Sequence, residues 1–127
     1  MQDLILTASA TSPFIHFKAS GRLEISGKMI SDEQSDFWYE ITKWVKNYKN
    51  HSPLNCEIYL QIDYLNSYSL KQLNSFLLLL SEMKSESHGV QLTWFYNDAD
   101  IYMKEIGLEL SNRCSIPFEM EKVKEFV

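Results

Sequence analysis

Apolar and polar residues alternate most cleanly between Cys56 and Asp63. Cys56, Ile58, Leu60 and Ile62 take one parity, and Glu57, Tyr59, Gln61 and Asp63 take the other. Period two with a polar opposite side predicts a strand whose sheet is covered on one face only. The segments Pro13–Lys18 and Arg22–Ser26 read as two more strands, joined as a hairpin through Ser20-Gly21, with Gly27 ending the second. Val90–Tyr96 reads as a fourth strand. Ile116–Met120 reads as a last one, placed at a sheet edge or bulge by Pro117.

Between these strands the apolar period lengthens to that of a helix. Phe37, Ile41, Trp44, Val45 and Tyr48 form one apolar stripe, with Ser31-Asp32-Glu33 as its predicted N-terminus and His51-Ser52-Pro53 as its end. Leu70, Leu73, Leu77 and Leu80 form a second stripe, capped by Asn66 or Ser67 and ended at Ser87-His88-Gly89. Met103, Ile106 and Leu110 form a third, behind Asn97-Asp98 and Asp100. Residues 1–10 show no period and read as a loose leader. The expected order is ββαβαβαβ: an α/β chain with a mixed sheet and helices packed mainly on one face.

Composition narrows the class. The 127 residues, 45% hydrophobic, suit a single domain over 1–127 that needs no metal or disulfide staple. A net charge of −5 with dispersed lysines argues against a nucleic-acid partner. No apolar run nears the roughly 20 residues of a membrane helix, so membrane insertion is not expected. The early acid of Met1-Gln2-Asp3-Leu4 argues against a secretory leader. Two cysteines, Cys56 and Cys114, make no disulfide framework and fit a reducing cytoplasm.

No catalytic set can be assembled. His16, His51 and His88 are isolated, and Gly21, Gly27, Gly89 and Gly107 form no phosphate loop. The acids of Asn97-Asp98-Ala99-Asp100 read as a helix N-terminal cluster and not as a metal site. Neither a cofactor nor a metal is expected. Strand alternation places Phe14, His16, Tyr59, Thr93 and Phe95 on the uncovered face, either as ordinary surface aromatics or as a second interface such as a homodimer contact.

What remains is the join Asp63-Tyr64-Leu65-Asn66-Ser67-Tyr68-Ser69-Leu70-Lys71. A serine there serves as a helix cap. The alternative is a phosphoacceptor, because free N–H groups and the positive helix end can stabilise an added phosphate. Phosphorylation would bring about −1.5 to −2 charges onto an aromatic, apolar patch. Both readings stay open on the residues alone.

The chain resembles the SiaC family of bacterial regulatory phosphoproteins from about Thr11 to Met120. The resemblance rests on Thr11-Ser12-Pro13-Phe14-Ile15, Gly21-Arg22-Leu23-Glu24-Ile25-Ser26-Gly27, Trp44-Val45-Lys46-Asn47-Tyr48, Tyr64-Leu65-Asn66-Ser67-Tyr68-Ser69-Leu70-Lys71, Trp94-Phe95-Tyr96-Asn97-Asp98-Ala99-Asp100 and Ile116-Pro117-Phe118-Glu119, in that order and spacing. It implies a STAS-like fold and a non-enzymatic cytoplasmic switch. It also implies a cognate Ser/Thr kinase, a PP2C-type phosphatase and a diguanylate cyclase activated by the unphosphorylated form, which raises cyclic di-GMP and favours biofilm. By position the phosphoacceptor is Ser67, and Tyr64, Leu65, Asn66, Tyr68, Ser69 and Lys71 form the partner surface. The alternative from another class is an anti-sigma-factor-antagonist type of partner switch acting on transcription. Two blocks depart from the family pattern. Ser67-Tyr68-Ser69 stands where the family has Thr-Ser-Ser, and Met29-Ile30-Ser31-Asp32-Glu33 lacks the proline of its Ser-Tyr-Pro-Glu-Asn loop.

Overall fold

The structure, a computed structural model, describes residues 1–51, 55–84 and 89–124. Six strands form one sheet in chain order: β1 (Leu4–Leu6), β2 (Phe14–Lys18), β3 (Arg22–Met29), β4 (Asn55–Leu65), β5 (Gly89–Asn97) and β6 (Phe118–Val123). Strands β1 to β3 are antiparallel neighbours, and β3 to β6 run parallel. The parallel strands are linked by α1 (Phe37–His51), α2 (Ser67–Ser81) and α3 (Ile101–Arg113). Each crossover moves one strand in the same direction, so right-handed connections put all three helices on one face.

Register confirms the one-sided core. Ile15, Ile25, Leu60 and Trp94 stand side by side across four strands and are all buried. The neighbouring row, His16, Glu24, Tyr59 and Thr93, is half-buried on the other face. The helices fill the covered side with Phe37, Ile41, Val45 and Tyr48 from α1, Leu73, Leu77 and Leu80 from α2, and Met103, Ile106 and Leu110 from α3. Gly107 lets α3 lie on β5: a Cβ there would stand 2.5 Å from Trp94 Nε1. That indole donates instead to the Met103 carbonyl at 3.1 Å.

The expected α/β architecture is therefore present, with five local corrections. The leader carries β1, so the order is βββαβαβαβ. Three residues are too short to show a period, but Asp3 Oδ1 accepts from the Ala19 N–H at 2.9 Å and Trp44 Nε1 donates to the Gln2 carbonyl at 2.9 Å. Those two contacts hold the segment against β2 and α1. Gly27, with φ +117°, does not end β3; the strand shifts register there and continues to Met29.

Helix α1 starts at Phe37 and not near Ser31. Asp32 Oδ1 accepts from the Gln34 N–H at 3.0 Å, which spends the acid on a local turn. Ser35 Oγ accepts from the Phe37 N–H at 3.2 Å. At its far end α2 stops at Ser81, and Gly89 opens β5. The expected stops at Ser52-Pro53 and Ser87-His88 lie outside the described residues. Strand β6 lies at the sheet edge as expected, but it begins at Phe118, so Pro117 precedes the strand and is not part of it.

Candidate functional site

The site is built where the central strand β4 hands over to α2. Gly27 pairs with Ile62 and Lys28 with Tyr64, so Asp63 is an extra residue on β4. This bulge changes the phase of the strand. Ile62 and Leu65 both face the core, while Tyr64 is turned out and is 58% exposed. Strict alternation from Ile62 would have sent Tyr64 inward.

Asn66 then fastens the join through all four of its polar groups. Its N–H donates to the Met29 carbonyl at 3.1 Å, and its carbonyl accepts from the Leu70 N–H at 3.0 Å. Its side-chain Oδ1 accepts from the Ser69 N–H at 2.9 Å, and its Nδ2 donates to the Ser31 carbonyl at 3.1 Å. Its extended backbone, φ −91° and ψ 174°, is that of an N-cap. Asn66, not Ser67, is therefore the cap. Replacing Asn66 with Ala removes a cap and a tertiary hydrogen bond, each worth about 1 kcal/mol. The expected loss is about 2 kcal/mol in urea unfolding. Asn66→Asp, which keeps the acceptor and loses the donor, should recover about half.

With the cap assigned to Asn66, Ser67 is the first helical residue. Its side chain is exposed, and no hydrogen bond engages its hydroxyl among the described residues. No acid occupies the first turn of α2. Lys71 lies one turn further along and is exposed on the same side. The other expected surface residues divide. Ser69 is fully buried, and Leu65 is nearly so. Both are corrected from contact residues to supports beneath the surface, because the helix turns Ser69 inward and the bulge turns Leu65 inward. Tyr68 is half-buried and packs against the core, so it presents only part of its ring.

Ser67 and Lys71 open into a groove of about 430 Å³ between α2 and α3, lined also by Leu70, Asn74, Leu110 and Arg113. A separate depression at the ends of β4 and β5 is lined by Asp63, Asn97, Ala99 and Asp100. Just beyond it, the first turn of α3 exposes Ile101 and Tyr102. Neither was singled out from the sequence. Their signal was present: both are apolar and both fall off the inward stripe of Met103, Ile106 and Leu110.

The remaining candidates do not converge on chemistry. Among the described residues no group of three or more His, Cys, Asp or Glu side chains is placed to hold a metal ion. Burial pushes the Cys56 thiol up to about 11 and raises Tyr48 beside it. That makes Cys56 a core residue and not a nucleophile. On the open face the Arg22 guanidinium sits 4.3 Å over the Tyr59 ring and pairs with Glu24 at 2.6 Å. The Tyr59 hydroxyl donates to Glu57 at 2.9 Å, and that bond holds its proton on. Phe14, His16, Tyr59, Thr93 and Phe95 do lie together on this face, all half-buried.

Comparison with known proteins decides the family. The sequence model described as SiaC family regulatory phosphoprotein matches residues 6–123. The chain belongs to the SiaC family. Among its relatives is an uncharacterized protein of Pseudomonas aeruginosa strain UCBPP-PA14, 26% identical over 122 residues, covering 95% of this chain and 97% of that one. The crystal structure of apo-SiaC from Pseudomonas aeruginosa superposes with a TM-score of 0.86 at 26% identity, over 95% of this chain and 99% of that one. A chain of the crystal structure of the diguanylate cyclase SiaD in complex with its activator SiaC, from the same organism, also gives 0.86, at 25% identity, over 95% of this chain and 100% of that one. No described helix is long and apolar enough to cross a membrane.

Proposed function

We propose that this SiaC-family chain is a non-enzymatic, cytoplasmic phospho-switch with Ser67 as its phosphoacceptor. Unphosphorylated, it binds and activates a diguanylate cyclase through the surface of Tyr64, Asn66, Ser67, the exposed part of Tyr68 and Lys71. A cognate Ser/Thr kinase turns the surface off, and a PP2C-type phosphatase restores it. The observation that carries this reading is the free Ser67 hydroxyl. Asn66 takes over the capping, so the serine is held rigidly on the first turn with its oxygen unspent. The SiaD–SiaC complex supports the class of partner.

A rigid backbone suits both recognition events. A kinase must present γ-phosphate to one oxygen, and an interface gains affinity when its contacts are already ordered. Ser69, the other hydroxyl of the turn, is fully buried and closed to a kinase while the chain is folded. Incubation with the cognate kinase and ATP, followed by intact-mass measurement, is expected to add one phosphate to the wild type and none to Ser67→Ala. Equal uptake by the two proteins would remove Ser67 as the acceptor.

A further inference from the structure

The phosphate proposed above has a counter-ion waiting on its own helix. The geometry points to Lys71 as an intramolecular clamp that draws phosphoserine 67 down over the mouth of the α2–α3 groove. The inference takes its biological meaning from the Ser67 reading, but its physical content can be tested separately.

Ser67 and Lys71 are four residues apart on one helix, which places their Cβ atoms about 6 Å apart on the same side. Both line the same groove. Lys71 is exposed and has no ion-pair partner among the described residues, so nothing competes for its ammonium. The order along the helix, anion first and cation one turn later, is the favourable one, with the negative group at the positive helix end.

The groups across the groove permit the same arrangement. Glu109, the carboxylate on the facing wall, is held by Arg113 at 2.6 Å, which offsets its repulsion of an incoming dianion. Asp63 and Asp100 line a separate depression. The nearest free charge on the groove side is therefore Lys71. On phosphorylation two changes occur together. The groove mouth gains a bulky dianion, and Lys71 turns from a partner-facing donor into an internal one. A partner that reads this surface loses a cation as well as meeting a new anion.

The test incorporates phosphoserine directly at position 67 of the full chain by codon reassignment, so no kinase is needed. The second ionisation of the phosphate is followed by ³¹P NMR against pH at low salt. An ordinary phosphoserine titrates near about 6. The helix end lowers that value equally in every variant, so the difference between variants isolates the lysine. With the clamp, Lys71→Gln is expected to raise the midpoint by roughly 0.2–0.4 of a unit, and added salt should shrink the gap. Coincident titration curves for the two proteins would overturn the clamp and leave Ser67 as acceptor untouched. Failure of the kinase to modify Ser67, by contrast, would overturn the switch and leave the clamp standing as a property of the helix.

Discussion

Carrying phosphate on Ser67, the chain is expected to activate the diguanylate cyclase proposed as its partner at least about tenfold less than the unmodified chain at equal, subsaturating concentration, a difference of about 1.4 kcal/mol in binding. The reason is the place where the charge arrives. Tyr64, three residues before it, is 58% exposed, and Ile101 and Tyr102 are exposed on the first turn of α3. Such a surface gains affinity by excluding water. A dianion of about −1.5 to −2 charges must be stripped of its own water when a partner closes over it, and an incompletely paired buried charge costs several kcal/mol.

Ser67→Ala leaves the surface neutral and removes only a free hydroxyl. It is therefore expected to activate like the unmodified wild type and to stay active after kinase treatment. Rates of cyclic di-GMP synthesis across a titration of each form give the comparison. Superimposable curves for the phosphorylated and unmodified wild type would mean that the phosphate does not gate this partner.

The largest expected loss of stability comes from Gly21→Ala, about 3 kcal/mol or more, because two costs fall on one atom. Gly21 has φ +120°, a backbone region that residues with a Cβ rarely enter. The Cβ would also stand 2.3 Å from the Asn55 carbonyl oxygen, which is backbone at the start of β4 and cannot swing aside. At the same point the Gly21 carbonyl accepts from the Glu57 N–H at 2.7 Å and sets the β3–β4 register. Gly27 provides the comparison. It has nearly the same φ, +117°, but a Cβ there would meet nothing closer than 3.5 Å. Gly27→Ala should therefore lose only the conformational part, about 1–2 kcal/mol. Urea midpoints of the two variants separate strain from overlap. Equal losses would show that the Asn55 carbonyl yields.

The two positions stand at opposite ends of the same strand pair, and their connection to the site is direct. Register between β3 and β4 begins at Arg22 beside Glu57 and ends at Met29 beside Leu65, one residue before Asn66. A displaced β4 would therefore move the first turn of α2. The Gly21 variant is expected to weaken activation in proportion to its unfolding, while Ser67 itself is unchanged.

Much of the fold was legible because burial leaves a period in the residues. Ile58, Leu60 and Ile62 against Tyr59 and Gln61 told which face of β4 is covered, and the stripes of α1, α2 and α3 told which sides of the helices cover it. The join at Asn66-Ser67 was legible too, as a change of period with hydroxyls at the boundary. Its chemistry came from the resemblance of ordered blocks and not from spacing. What no period announces is a contact made once. Strand β1 is three residues long and is held by Asp3 and Gln2 reaching Ala19 and Trp44, partners 16 and 42 residues away.

The choice between two adjacent cap residues belongs to the same kind. Asn66 and Ser67 are both good caps by residue type. The tertiary structure decided between them, because only Asn66 has a carbonyl of the 31–36 loop within reach of its second side-chain atom and the end of β3 within reach of its N–H. The bulge at Asp63 likewise turned Leu65 inward and Tyr64 outward, reversing what alternation alone would assign. The sequence by itself therefore determined the layers, the helix faces and the segment proposed here as the switch. Tertiary contacts alone decided which hydroxyl is free and which side chains surround it, since those depend on single long-range hydrogen bonds and one inserted residue.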